Sequence, residues 1–178
     1  MTIIESISKK INRSICDSQE TYDLFWQMIE SGLITQAENT SAHFCVRFIP
    51  YNYANKTVFI VDHKKSGLWL PPGGHLEKQE TLFSALNREI NEELGVKDFF
   101  KSEPEPFLLT ATFINDPARL CKTHFDIWYL MPTDGKDFQI DLSEFHDTRW
   151  LNFEEARKLI TDGPSLIGLT TIENTLIH

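Results

Sequence analysis

Cysteine is scarce in this 178-residue chain: Cys16, Cys45 and Cys121 are its three thiols, with no short paired spacing between them. An odd, scattered set supplies neither a disulfide framework nor a zinc motif, so reduced thiols in a cytoplasmic setting are expected. No apolar run reaches bilayer-spanning length, and Glu5, Lys9, Lys10, Arg13 and Asp17 interrupt the first thirty residues. A spanning helix and a signal peptide are therefore not expected, nor is a membrane partner. Cations are also few. Against 26 Asp and Glu stand 17 Lys and Arg, a net charge of −9, which argues against a broad nucleic-acid surface. An acidic protein can still bind a small anion if metal ions bridge the two.

What remains is a chain of ordinary hydrophobicity, long enough for one well-packed domain and too short for two. Residues 1–40 read as helical: Ile3, Ile4, Ile7, Ile11 and Ile15 recur at helical intervals, then Tyr22, Phe25, Met28, Ile29 and Leu33, with Gly32 near the stop. From His43 the composition turns aromatic and β-branched. The spacing predicts paired strands at His43–Ile49 and Thr57–Val61, and further strands at Phe107–Ile114 and His124–Met131. Shorter ones are expected at Phe138–Ile140 and Thr148–Leu151. Helices are expected at Thr81–Leu94, closed by Gly95, at Phe153–Ile160 behind an Asn152 cap, and at Leu166–Ile177 after Gly163-Pro164. Elements mixed in this order suggest a sheet covered on both faces, an α/β fold.

The helix at Thr81–Leu94 carries the chemistry. At 100° per residue, Glu89, Glu92 and Glu93 fall within an arc of roughly 100°, with Arg88 flanking them. Leu82, Leu86, Ile90 and Leu94 form a second, apolar stripe that can fix the helix on a core. Like charges three and four residues apart repel. A cleft that desolvates them calls for a compensating cation, and oxygen-only ligands favour Mg²⁺ or Mn²⁺ over zinc. A solvated acidic face is the plainer alternative for the helix alone. Just before it, Pro71-Pro72-Gly73-Gly74 combines stiff turns with two residues that lack a Cβ, so backbone can approach a metal or phosphate closely.

Taken together, the segment resembles the Nudix box: Gly, five residues, Glu, seven residues, then Arg-Glu-apolar-x-Glu-Glu-x-Gly-apolar. Gly74, Glu80, Arg88, Glu89, Ile90, Glu92, Glu93, Gly95 and Val96 meet every specified position. Coincidence over the fixed identities is on the order of 10⁻⁸ per starting position. The order of flanking elements also looks like the Nudix α/β/α sandwich with a mixed sheet. The resemblance places that domain at about residues 41–178 and makes residues 1–40 a helical extension packed on it.

The resemblance implies a hydrolase that directs water at phosphorus in a nucleoside diphosphate linked to another moiety, with Mg²⁺ or Mn²⁺ as cofactor. It makes Glu89, Glu92 and Glu93 metal ligands, Glu92 alternatively a water-polarising group, and the Gly73 carbonyl a further ligand. Arg88 and Glu80 are similar to the pair that orients the catalytic helix, with Gly74 and Gly95 as structural positions. Family members differ in where the general base sits. Here Glu144, with Asp141 and Asp147 nearby, occupies a suitable loop, although a solvated loop acid is the plainer alternative. His124 and Asp126 alternate in a strand and share a face with Trp128, where they contact substrate or form a buried polar pair. His75 and His63 flank the glycine loop and could touch phosphates, although surface positions are the plainer expectation for both. Trp69 and Phe113 fit core packing or base stacking.

The substrate is less legible. The proline of ADP-ribose hydrolases would fall near Thr112 and the tyrosine of dinucleoside polyphosphate hydrolases near Ile114, and neither is present. The NADH-type and coenzyme A motifs are absent as well. A nucleoside triphosphate or another nucleotide derivative remains open. The N-terminal helices could cover the cleft or build a homodimer. Two competing functions share the fold. One is a catalytically silent nucleotide-binding or regulatory module, although such modules often lose box glutamates. The other is a prenyl-diphosphate isomerase, which needs a cysteine motif found around neither Cys45 nor Cys121.

Overall fold

The computed structural model describes residues 2–177. Its elements are α1 (Ile3–Ser8), a 3₁₀ turn (Arg13–Ile15), α2 (Gln19–Ser31), β1 (Ala42–Asn52), β2 (Thr57–His63), β3 (Leu68–Leu70), β4 (Gly73–His75), α3 (Leu82–Leu94), β5 (Leu108–Phe113), β6 (Thr123–Pro132), β7 (Phe145–Leu151), α4 (Phe153–Leu159) and α5 (Gly163–Ile177). The sheet is mixed. β1 and β6 run parallel from Ala42↔Thr123 to Tyr51↔Pro132, while the other pairings are antiparallel.

Strand alternation sorts the side chains into two layers. Phe44, Val46 and Phe48 of β1, with Phe125, Ile127 and Tyr129 of β6, form one apolar face, and the α3 stripe Leu82, Leu86, Ile90 and Leu94 is fully buried in the same cluster. The opposite face carries Ile49 and Trp128 beneath α4 and α5, packed with Ala156, Ile160, Leu169 and Ile172. Helices therefore cover both faces, as the α/β/α expectation required. Thr81 caps α3 through a capping box with Ser84, and Gly95 closes it.

The N-terminal helices join the α3 layer. Phe25 of α2 makes edge contacts with Phe44 and Phe125, and the Ser6 hydroxyl accepts from the Leu82 amide at 3.1 Å in a buried setting. The isoleucine periodicity overstated α1, which stops at Ser8. Asn12 interrupts it: its side-chain oxygen accepts from the Ser14 amide and starts a separate 3₁₀ turn, so Ile11 and Ile15 reach the core from irregular backbone.

Three further differences concern local backbone. Phe138–Ile140 is a loop rather than a strand. Its neighbourhood serves the end of α3, where the Gln139 amide donates to the Leu94 carbonyl at 2.7 Å and that of Asp141 to the Glu93 carbonyl at 3.1 Å. These bonds satisfy carbonyls that a helix terminus leaves open. Phe113, expected in the core or on a base, is exposed at the end of β5. Finally, β3 and β4 are three-residue strands too short for a hydrophobic pattern to announce. Among the described residues no helix is long and apolar enough to cross a membrane.

Candidate active site

The site exists because β1 and β2 part company. They pair only at Tyr51↔Val58 and Asn52↔Thr57. Beyond that point β3 takes the freed edge of β2, with Leu70 opposite Val61, and β4 takes that of β1, with Gly73 opposite Arg47 and His75 opposite Cys45. Pro71-Pro72 bridges the two short strands, and the Pro72 carbonyl accepts from the Phe48 amide at 3.1 Å. This crossing brings two glycines against the acidic face of α3. Gly73 has φ of 142°, and a Cβ there would lie 2.3 Å from the Val46 carbonyl oxygen. A Cβ on Gly74 would lie 2.2 Å from Oε1 of Glu89. Both positions need a residue without a side chain, the second because the carboxylate sits where one would be.

Glu89 and Glu93 are buried, whereas the Glu92 side chain is about half exposed. Glu93 Oε2 accepts from the Gly73 amide at 2.7 Å. Arg88 gathers the remaining acids. Its Nε and Nη2 donate to the two oxygens of Glu80 at 2.6 and 3.0 Å, and its Nη1 to Glu89 at 2.8 Å and Glu92 at 3.0 Å. Nη2 also donates to the His75 carbonyl at 2.9 Å, and Glu80 accepts from the Glu77 amide at 2.9 Å. Such a planar fork can hold helix, loop and β4 together in a way one ammonium could not. The acids outnumber it. Burial, then repulsion from Glu89, pushes the Glu93 carboxyl well above the usual range; burial raises Glu89 as well, against the pull of Arg88. Two desolvated carboxylates beside an exposed third make an all-oxygen donor set whose negative charge exceeds what Arg88 supplies, which suits a hard divalent cation.

These groups open onto a cavity of about 830 Å³, within the range of small-molecule sites. Its floor is the polar end of the β1–β6 face that bears Trp128, where α5 no longer covers the sheet. Arg47, Lys65 and Arg119 supply positive charge to its walls. Nε of Arg47 donates to the Asp126 carboxylate at 3.1 Å, and Thr112 donates to the other oxygen of that buried acid.

Imidazoles make up much of the remaining wall. Burial first, and then the neighbouring His43 and His124, pushes His75 down to about 2; burial and Arg47 push His124 down to about 3. His63 falls to about 4 for the same two reasons. Its Nδ1 accepts from the Ser66 amide at 3.1 Å, and its Nε2 lies 3.9 Å from the Glu144 carboxylate. Neutral rings therefore line this wall at physiological pH.

Most of the expected residues meet here. Gly73, Gly74, His75, Glu89, Glu92, Glu93, His124 and Glu144 all line the cavity, although they come from four separate segments. Glu80 and Arg88 stand behind the acids, and Gly95 closes their helix. Asp126 is the correction: it does not line the cavity, because Arg47 and Thr112 occupy its carboxylate, and it acts by holding Arg47. The expectation of His63 at the surface also gives way to a half-buried wall position. Trp69 lies under the Arg149 guanidinium, 4.9 Å from its ring centre, and away from the cavity. Asp147 pairs with Arg149 at 2.8 Å. Sequence reasoning missed Arg47 and Cys45. Their alternation with His43 along β1 was a signal, but it gains meaning only once β4 and β6 lie alongside.

A mixed sheet clad on both sides, whose α3 turns crowded carboxylates onto a glycine crossing, defines a Nudix domain. The NUDIX domain family matches residues 43–167, and the chain belongs to this family, whose members hydrolyse nucleoside diphosphate derivatives with the help of divalent metals. It is similar to the phosphatase NudJ of Shigella boydii serotype 4, with 31% identity over 111 residues that span 60% of this chain and 67% of that protein. The fold is shared with a C. elegans Ap4A hydrolase in a binary complex, at a TM-score of 0.58 and 18% identity over 75% of this chain and 98% of that one. It is also shared with the NUDIX domain of Shewanella oneidensis NrtR complexed with ADP ribose, at 0.56 and 18%, over 75% and 87%.

Proposed function

We propose that this protein hydrolyses the phosphoanhydride of a nucleoside triphosphate or another nucleotide-linked diphosphate, using Mg²⁺ or Mn²⁺ held by Glu89, Glu92, Glu93 and the Gly73 carbonyl. One observation supports this above others: Glu93 is buried, is repelled by Glu89, and has a backbone amide as its polar partner. Left ionised without a cation, such a group opposes folding; with one, it becomes a ligand. When bound, such an ion supplies positive charge to phosphate oxygens and makes water more acidic.

The chain's own groups do the rest. Arg88 and Glu80 are positioning residues that fix Glu89, Glu92 and β4, while the Gly73 amide holds Glu93. Arg47, braced by Asp126, and the walls bearing Lys65 and Arg119 orient the phosphates. His75 and His124, as neutral rings, line the wall without adding charge. Water attacks phosphorus, the bridging P–O bond breaks, and the proton lost by water passes to a carboxylate. Glu144 is our choice for that base, since it lines the cavity and is open enough to exchange its proton with solvent. Residues 1–40 are read as an extension packed on the α3 layer, ending in Gln36 and Thr40 at the cavity rim. The net charge of −9 favours a small nucleotide over nucleic acid.

A panel of nucleoside triphosphates and nucleotide-linked diphosphates, assayed with Mg²⁺ and with Mn²⁺ and with both products identified, tests this reading. Metal-dependent release of a phosphorylated fragment is expected, abolished by chelation. Binding of nucleotides without turnover under any divalent ion would instead mark a silent binding module.

A further inference from the structure

The strand end of the cavity contains a second cluster of ligand-bearing side chains. His43 and Cys45 alternate on β1 and so share a face, while the register sets His124 of β6 beside His43 and His75 of β4 opposite Cys45. Three strands thus deliver three imidazoles and a thiol to one point. One ligand atom from each of the four residues lies within 4.8 Å of all the others. Nε2 of His75 and Nε2 of His124 are 3.4 Å apart. Bonds of roughly 2.0–2.1 Å to nitrogen and 2.3 Å to sulfur, arranged tetrahedrally, separate ligand atoms by about 3.3–3.6 Å. The two imidazoles already stand at that spacing, and the full cluster would close by about an ångström.

A tautomer argument points the same way. Nδ1 of His43 lies 3.1 Å from the Asn39 carbonyl oxygen, which can only accept, so Nδ1 carries the proton and Nε2 keeps its lone pair. Orientation of a ring by a backbone carbonyl is the usual support of a metal-binding histidine. His43 and Cys45 are both buried, so an ion there would be shielded from water.

We propose that His43, Cys45, His75 and His124 form a closed four-ligand site for a zinc-class divalent ion, separate from the carboxylates of α3. As the metal–sulfur bond forms, the Cys45 S–H bond breaks and its proton leaves to solvent. Nitrogen and sulfur donors disfavour Mg²⁺, while the oxygen donors of α3 suit it, so two sites in one cavity sort ions by hardness. The scattered cysteines gave no hint of this, because the cluster uses one of them and draws its other ligands from distant strands.

The test uses the whole chain, stripped of metal by a chelator and titrated with Co²⁺. One equivalent is expected to give tetrahedral visible bands and a thiolate charge-transfer band, both lost on addition of Zn²⁺ and unchanged by a hundredfold excess of Mg²⁺. Cys45→Ser should remove the charge-transfer band. Cys121→Ser should keep it, although the Cys121 sulfur lies 3.7 Å from Nε2 of His43. Glu93→Gln should keep it too, which separates this site from the hydrolytic one. Absence of both bands in the wild-type protein overturns the proposal whatever the variants do. So does a band that survives Cys45→Ser in folded protein, or one that depends on Glu93.

Discussion

The cavity has two rims of opposite origin. Its acidic rim comes from one continuous helix, where Glu89, Glu92 and Glu93 are neighbours in sequence and one guanidinium ties the first two together. Its imidazole and thiol rim comes from β1, β4 and β6, whose members lie up to 81 positions apart, from His43 to His124. The first rim is crowded with charge and the second is kept neutral by burial. One fold can thus present hard oxygen donors and soft nitrogen and sulfur donors to the same space, provided that different secondary structures supply them.

The largest effect should come from breaking the acidic rim. Glu93→Gln is expected to lower kcat on the best substrate by on the order of 10³-fold, equivalent to several kcal/mol of lost charge stabilisation. Stability should move the other way. The folded, ion-free protein raises the Glu93 pKa above its unfolded value, so stability present at low pH is lost as pH rises through the folded value. In chelator at pH 7.5, Glu93→Gln should therefore melt higher than wild type, by roughly 2–4 °C for about 1 kcal/mol. Added Mg²⁺ should raise the melting point of the wild type only.

Gly74→Ala sharpens the point with one methyl group. Its Cβ would press on the Glu89 carboxylate, which must move by an ångström or more. A misplacement of that size costs about 100-fold in rate, while melting should change little because a flexible side chain yields. Arg88→Lys tests the support rather than the ligands. Loss of the fork that holds Glu80, Glu89, Glu92 and the β4 carbonyl should reduce kcat by about 10- to 100-fold, with metal affinity measured by calorimetry falling in parallel.

The smallest expected effect belongs to the neutral rim. His124 has a folded pKa near 3, below its unfolded value, so the unfolded chain takes up a proton first as pH falls through about 6.5 and stability is lost on acidification. His124→Asn, compared with wild type in chelator, should flatten the decline in melting temperature between pH 7 and pH 5. Glu89 and Glu93, raised by burial, act with the opposite sign in both proteins and cancel in the difference. Equal slopes would show that His124 is solvated and protonates normally.

The same contrast explains what the sequence could disclose. Glu89, Glu93 and the buried stripe from Leu82 to Leu94 were legible because helical geometry links residues three and four apart, and the box spacing fixed their register with Gly74. The major strands were legible from alternation. What could not be read was pairing between distant segments: that Cys45 faces His75, that Asp126 braces Arg47, and that Phe138–Ile140 serves the end of a helix. The first depends on where β1 and β2 separate, the second on the parallel pairing of β1 with β6 and the third on the path of the chain after β6, and no local pattern marks any of them. Gly73-Gly74 was recognised as a close-approach loop, yet the crossing strands on either side were too short to register.

The most direct test is a crystal of the wild-type chain soaked in Mn²⁺ and measured for anomalous scattering. The account predicts peaks within coordination distance of Glu89 and Glu93, near the Gly73 backbone, and none among the four strand residues. A cavity with no manganese at those carboxylates, in a crystal where they face it as described, would contradict the account.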